Sequence, residues 1–173
     1  MMKPGEVVAR GFCYPAPGRL EELRQAVDKD LSGATQRRMR RFVSAVEGLS
    51  LAQWEELHTR TLDLSPVLVP YVGHLTWGEN YRRGEFMADL KRDMELHNVD
   101  LGGELPDHIE PVLRYLAVAP EPFPDLVNIL ADAVGQMRAA VKKAEPKNPY
   151  RHLLAAVESI VDRETPVAIG GSQ

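Results

Sequence analysis

One cysteine, Cys13, stands alone in 173 residues, which leaves no basis for an internal disulfide framework or for a multi-cysteine zinc or iron–sulfur site. A lone thiol fits a reducing compartment. Long apolar runs are missing too: nothing approaches the roughly 18 consecutive apolar residues of a membrane-spanning helix, and Met1 to Glu6 lacks the apolar core of a secretory signal. A soluble, cytoplasmic protein without direct membrane insertion is the expectation. Nor is there a surplus of positive charge. The net charge is −4, with both signs mixed along the chain, so composition gives no footprint of the basic face that displaces counterions from phosphates, and nucleic acid is not expected as a partner.

Catalytic signatures are equally scarce. There is no Gly-x-Ser-x-Gly elbow, no phosphate-cradling glycine loop and no His-Glu-x-x-His. The five histidines, at positions 58, 74, 97, 108 and 152, show no ligand spacing, so neither a metal nor another cofactor is expected.

What the chain does have is helical periodicity. After Pro4, suited to a first helical turn, Val7, Val8, Gly11 and Phe12 form one apolar side, and Tyr14-Pro15-Ala16-Pro17-Gly18 closes the segment. Leu20, Leu23, Val27 and Leu31 mark a second helix, broken at Ser32-Gly33. Met39, Phe42, Val43 and Val46 mark a third, with Arg37, Arg38, Arg40 and Arg41 opposite them as a solvated face rather than an anion clamp. Ser50 and Gln53 form a capping-box pattern for a helix carrying Trp54, Leu57, Thr61 and Leu64 inward, with His58 on the same face as a packed core histidine.

Ser65 to Val72 could pass for a strand, but its two prolines and the lack of a second alternating run argue against one. A helix from Glu79 buries Met87, Leu90 and Met94. Gly84 inside it suggests a close approach by backbone or ligand, since a helix-interior glycine costs about 1 kcal/mol. Asp107 and Glu110 form a second capping-box pattern, with Pro111 confining the helix start and Val112, Leu113, Leu116 and Val118 following. Leu126, Leu130, Ala133, Met137 and Val141, then Tyr150, Leu153, Leu154, Val157 and Val161, supply the last two helices. The length suits one domain. The expected architecture is all-α, a single helical bundle over residues 1–163 with a loose tail at 164–173.

The stretch from His58 to Ala117 narrows this further. It contains Thr61-Leu62-Asp63-Leu64, Tyr71, Gly78-Glu79-Asn80-Tyr81-Arg82-Arg83-Gly84, Leu90-Lys91, and Glu104-Leu105-Pro106-Asp107-His108 followed by Val112 to Ala117. In this order and spacing it resembles the NarJ branch of the TorD/DmsD/NarJ family, cytoplasmic chaperones for molybdenum-cofactor oxidoreductases such as respiratory nitrate reductase. The resemblance extends faintly to Val7–Arg10 and Tyr14-Pro15. His58 stands where that family usually has a tyrosine and Leu62 where it has a phenylalanine.

The resemblance implies a helical bundle, monomeric or weakly dimeric. It would bind the N-terminal segment of an apo catalytic subunit and assist cofactor insertion before membrane attachment, keeping no cofactor itself. A family short helix is expected near Pro70. Matched residues that would bind the client or shape the site are Asp63, Tyr71, Gly78, Arg82, Arg83, Gly84, Glu104, Pro106, Asp107 and His108. Pro106 and Gly84 read as backbone formers, Tyr71 as core, and Arg83 as an ion-pair partner of Asp63 or Glu104. Asp107 and His108 read as direct client contacts, with the client's basic groups facing acids near Asp107. The alternative is a small helical enzyme, metal-dependent or acid–base, using Asp107 and His108. Adjacent residues at a helix start do not face one another, so such a dyad needs a partner from elsewhere in the chain.

Overall fold

The computed structural model describes residues 1–64 and 66–164. Among these, nine α-helices and one π-helical turn form a single all-α bundle. Helix α1 (Pro4–Gly11) starts on its proline, and the Lys3 amide donates to Glu6 Oε2 at 2.8 Å. Helices α2 (Arg19–Asp30) and α3 (Gly33–Glu47) follow, separated at Leu31 and Ser32. Helix α4 (Leu51–His58) opens on the expected capping box: the Gln53 amide donates to Ser50 Oγ at 3.1 Å and the Ser50 amide to Gln53 Oε1 at 2.9 Å. After the π turn (Thr59–Asp63) come α5 (Val72–Trp77), α6 (Tyr81–Leu96), α7 (Ile109–Val118), α8 (Leu126–Ala144) and α9 (Tyr150–Glu164).

The core gathers on α9, which packs against α3, α8 and α1, while α1 also lies against α7. The apolar stripes read from sequence on α3, α8 and α9 are buried throughout: Met39, Phe42, Val43 and Val46; Leu126 to Val141; Tyr150 to Val161. Between α3 and α9 the hydroxyls of Thr35 and Ser159 meet at 2.8 Å, both buried. Each satisfies a group that would otherwise be stranded without water. A second buried network joins α4 to α9. Thr61 donates to the Leu57 carbonyl at 2.6 Å and accepts from Asn148 Nδ2 at 2.9 Å, and Asn148 Oδ1 accepts from the Tyr150 amide at 2.9 Å. Tyr150 Oη is in turn hydrogen-bonded to His58 Nδ1 at 3.1 Å.

Several expectations need correction. Leu64, expected inward, is 75% exposed. From Thr59 the chain follows i→i+5 bonding, with the Leu64 amide on the Thr59 carbonyl at 3.1 Å, so the helical face rotates before Leu64 is reached. Helix α6 begins at Tyr81, not Glu79, because Asn80 caps it by accepting from the Arg82 amide at 3.0 Å. Its inner face takes Phe86 with Leu90 and Met94, leaving Met87 half-buried. Gly84 has nothing within 4 Å of where a Cβ would sit, so no close approach explains it. Glu164 closes α9 rather than starting a tail, and the tail residues 165–173 lie outside the described residues. Among the described residues no helix is long and apolar enough to cross a membrane.

Candidate functional site

The segment that the sequence argued against as a strand forms none among its described residues, 66–72; it makes a single antiparallel bridge between Tyr71 and His108. The Val72 amide donates to the Asp107 carbonyl and the Ile109 amide to the Pro70 carbonyl, each at 2.9 Å. This bridge decides the site. Alternate residues of an extended segment point to opposite sides, so Tyr71 and His108 are held together, rings edge-on with centroids 5.2 Å apart, while Asp107 is turned into the protein.

Asp107 is 0% exposed. Arg83, in the first turn of α6 and 13% exposed at its side chain, grips it with Nε on Oδ2 at 2.8 Å and Nη2 on Oδ1 at 3.2 Å. This two-pronged pair supplies the compensation a buried carboxylate requires, and it keeps the guanidinium firmly protonated. Arg83 therefore pairs with Asp107, not with Asp63 or Glu104. Its guanidinium also lies 5.6 Å from the centre of the Tyr71 ring. Gly73, in the first turn of α5, completes the enclosure, because a Cβ there would sit 2.7 Å from Asp107 Oδ2.

The capping expectation is corrected as well. His108, not Asp107, is the N-cap of α7: its Nδ1 accepts from the Glu110 amide at 3.1 Å. That bond requires Nδ1 to be unprotonated, which places the proton of the neutral ring on Nε2, facing Glu104 Oε2 at 4.0 Å. Glu104 Oε1 accepts from the Tyr71 hydroxyl at 2.8 Å and from the Leu105 amide at 3.0 Å. Burial, reinforced by this carboxylate, pushes the Tyr71 phenol up to about 12, so it stays a donor at neutral pH. Burial likewise pulls His108 below its ordinary value against the opposing pull of Glu104, Glu110, Asp63 and Asp107.

Beside this cluster stands His58, buried and also held below its ordinary value by desolvation, with Asp63 pulling upward and His108 downward. The π turn carries Asp63 back over it, Oδ2 to Nε2 at 3.8 Å. The Tyr14 ring meets His58 edge-on at 5.2 Å. The indole N–H of Trp54 is buried without a partner in hydrogen-bond geometry, although it approaches Tyr150 closely enough to offset part of the rise that burial imposes on that phenol. Tyr14, which covers His58, also lines a shallow hollow of about 530 Å³ with Ala52, Glu55, Glu56, Thr59, Arg60 and Leu64. Tyr14 is 51% exposed there.

The fold thus brings together Asp63, Tyr71, Arg83, Glu104, Asp107 and His108, with buried Pro106 shaping the loop that carries the last three. Three matched residues stay outside the cluster. Gly78 ends α5 at φ 66° and ψ −149°, a conformation open to glycine. Arg82 and Gly84 are exposed on α6. Sequence reasoning passed over Gly73 and Tyr14. A glycine just after Pro70, where a short helix is expected, was the signal for the first, whereas Tyr14 figured only in the faint Tyr14-Pro15 match, with nothing to mark it as an exposed contact.

Asp107 and His108 are engaged in different directions, one on Arg83 and the other on the α7 amide, and not on each other. Among the described residues no three His, Cys, Asp or Glu side chains converge to hold a metal ion. No family model matches the sequence, and no curated protein matches it either.

Proposed function

We propose that the protein is a cytoplasmic chaperone of the NarJ type. It binds the N-terminal segment of the apo catalytic subunit of a molybdenum-cofactor oxidoreductase, nitrate reductase or a relative, and assists cofactor insertion and assembly. The observation that carries this reading is the hollow beside His58. Tyr14 and Leu64, two large apolar side chains at 51% and 75% exposure, flank Glu55 and Glu56 there. Exposed apolar groups beside carboxylates suit an amphipathic helix with basic residues on its polar face, bound by a few apolar anchors and steered by charge. The resemblance of residues 58–117 to the family supports the same partner. Asp107, fully buried and held by Arg83, is placed to position its own loop rather than to touch the client.

Isothermal titration with synthetic peptides copying the N-termini of such catalytic subunits tests the reading. One peptide should bind at micromolar affinity, and Leu64→Ser together with Tyr14→Ser should weaken it at least tenfold. Leu64→Ser alone, at a position 75% exposed, should weaken it several-fold while leaving the melting temperature unchanged, whereas Tyr14→Ser also gives up its edge contact with His58 and should lower the melting temperature. If no such peptide binds, leader recognition is wrong for this chain. If binding survives both substitutions, the hollow is the wrong surface.

A further inference from the structure

Residues 138–151 carry five cations, Arg138, Lys142, Lys143, Lys147 and Arg151, against one acid, Glu145, in a chain of net charge −4. The end of α8 and the start of α9 fold this run around a hollow of about 420 Å³ with Arg138, Lys142 and Arg151 at its rim and Ala139, Val141 and Pro146 as its apolar wall. Nearby acids are already engaged. Glu145 takes Arg60 through both oxygens at 3.1–3.2 Å, and Glu158 is bound by Arg138. Lys142 is exposed and makes no ion pair among the described residues. Arg151 is exposed but not free to swing, because its Nη1 donates to the Pro146 carbonyl at 2.7 Å.

We propose that this hollow binds a phosphorylated small molecule, its phosphate on Lys142 and Arg151 and its organic body against Val141, Ala139 and Pro146. Cations converging on a concavity raise the local concentration of anions, and a guanidinium already oriented by a backbone carbonyl loses little freedom on binding one. The volume falls within the roughly 300–1,000 Å³ of small-molecule sites, and three of the five cations, Arg138, Lys142 and Arg151, converge on this one depression, which suits a small anion better than the extended stripe an acidic polypeptide needs. The helix end itself contributes nothing, since the first amides of α9 are used: Tyr150 on Asn148 Oδ1, Arg151 on the Asn148 carbonyl and His152 on the Pro149 carbonyl. Side chains hold the anion. This hollow shares no lining residue with the Tyr14–Leu64 hollow, although Arg60 of the latter pairs with Glu145 next to Pro146.

Isothermal titration of the full chain at low salt, with ADP and inorganic pyrophosphate as probes, decides the matter. ADP should bind saturably with one-to-one stoichiometry and at least threefold more tightly than pyrophosphate, because only ADP has a body for the apolar wall. Lys142→Gln with Arg151→Gln should weaken ADP at least tenfold. Lys142→Gln alone, at an exposed position where the melting temperature should not move, should weaken it several-fold, whereas Arg37→Gln on α3 should change it less than twofold. The proposal is overturned if neither probe saturates, if Lys142→Gln binds ADP like the parent, or if Arg37→Gln weakens binding equally. A glutamate-rich peptide that binds in preference to ADP would also overturn it, making the face a protein-docking surface.

Discussion

A carboxylate with no exposed surface has lost its water and needs a cation in its place, and Asp107 has Arg83 at 2.8 Å. The two ends of this pair are not equivalent. Arg83 keeps a small exposed edge and can recover some hydration, whereas Asp107 cannot, so removing the cation should cost more than removing the acid. Arg83→Met should destabilise by about 3–5 kcal/mol and Asp107→Asn by about 1–3 kcal/mol, measured by urea unfolding. Equal losses would mean that water reaches Asp107. Gly73→Ala forces a methyl to within 2.7 Å of the same carboxylate and 3.2 Å of Phe86, and should cost about 1–3 kcal/mol as overpacking. The sequence made Arg83, Asp107 and His108 visible as neighbours of a site but not their roles. Asp107 and His108 are both chemically able to cap a helix, and the choice is made by a bridge formed with Tyr71, far back in the chain.

Apolar stripes made most helices legible because each is a local pattern with a fixed period, as α3, α8 and α9 illustrate. The π turn was not legible. Its wider bonding is accompanied by Thr61 reaching back to Leu57 and forward to Asn148, a partner far along the chain, and periodicity carries no information about such a partner. Asn148→Leu therefore tests the element rather than the residue. It strands the buried Tyr150 amide and should cost about 1–3 kcal/mol in urea unfolding. By contrast Ser50→Ala removes only a local cap, and about 1 kcal/mol is expected. Should Asn148→Leu cost no more than Ser50→Ala, the buried network is not what holds the turn against α9.

For the molecule as a whole, His58 and His108 make stability depend on pH. Burial holds both below their ordinary value of 6.5, so between that value and their native values the unfolded chain binds more protons than the folded one. Stability is then complete above about pH 6.5 and declines as pH falls through that value, levelling only below the native values. Urea midpoints at pH 7.5, 6.0 and 5.0 should fall in that order. His108→Asn, which keeps a cap acceptor for α7, should reduce the slope, and an unchanged slope would assign the effect to other groups. The bridge between Tyr71 and His108 also provides a clock. Val72 and Ile109 each sit at a loop end where amide protons normally exchange quickly with solvent, yet each is pinned across the bridge at 2.9 Å. Both should be protected, and because one separation of the segments releases the two together, their deuterium uptake should keep common time. That shared rate would measure how often the loops of the site part.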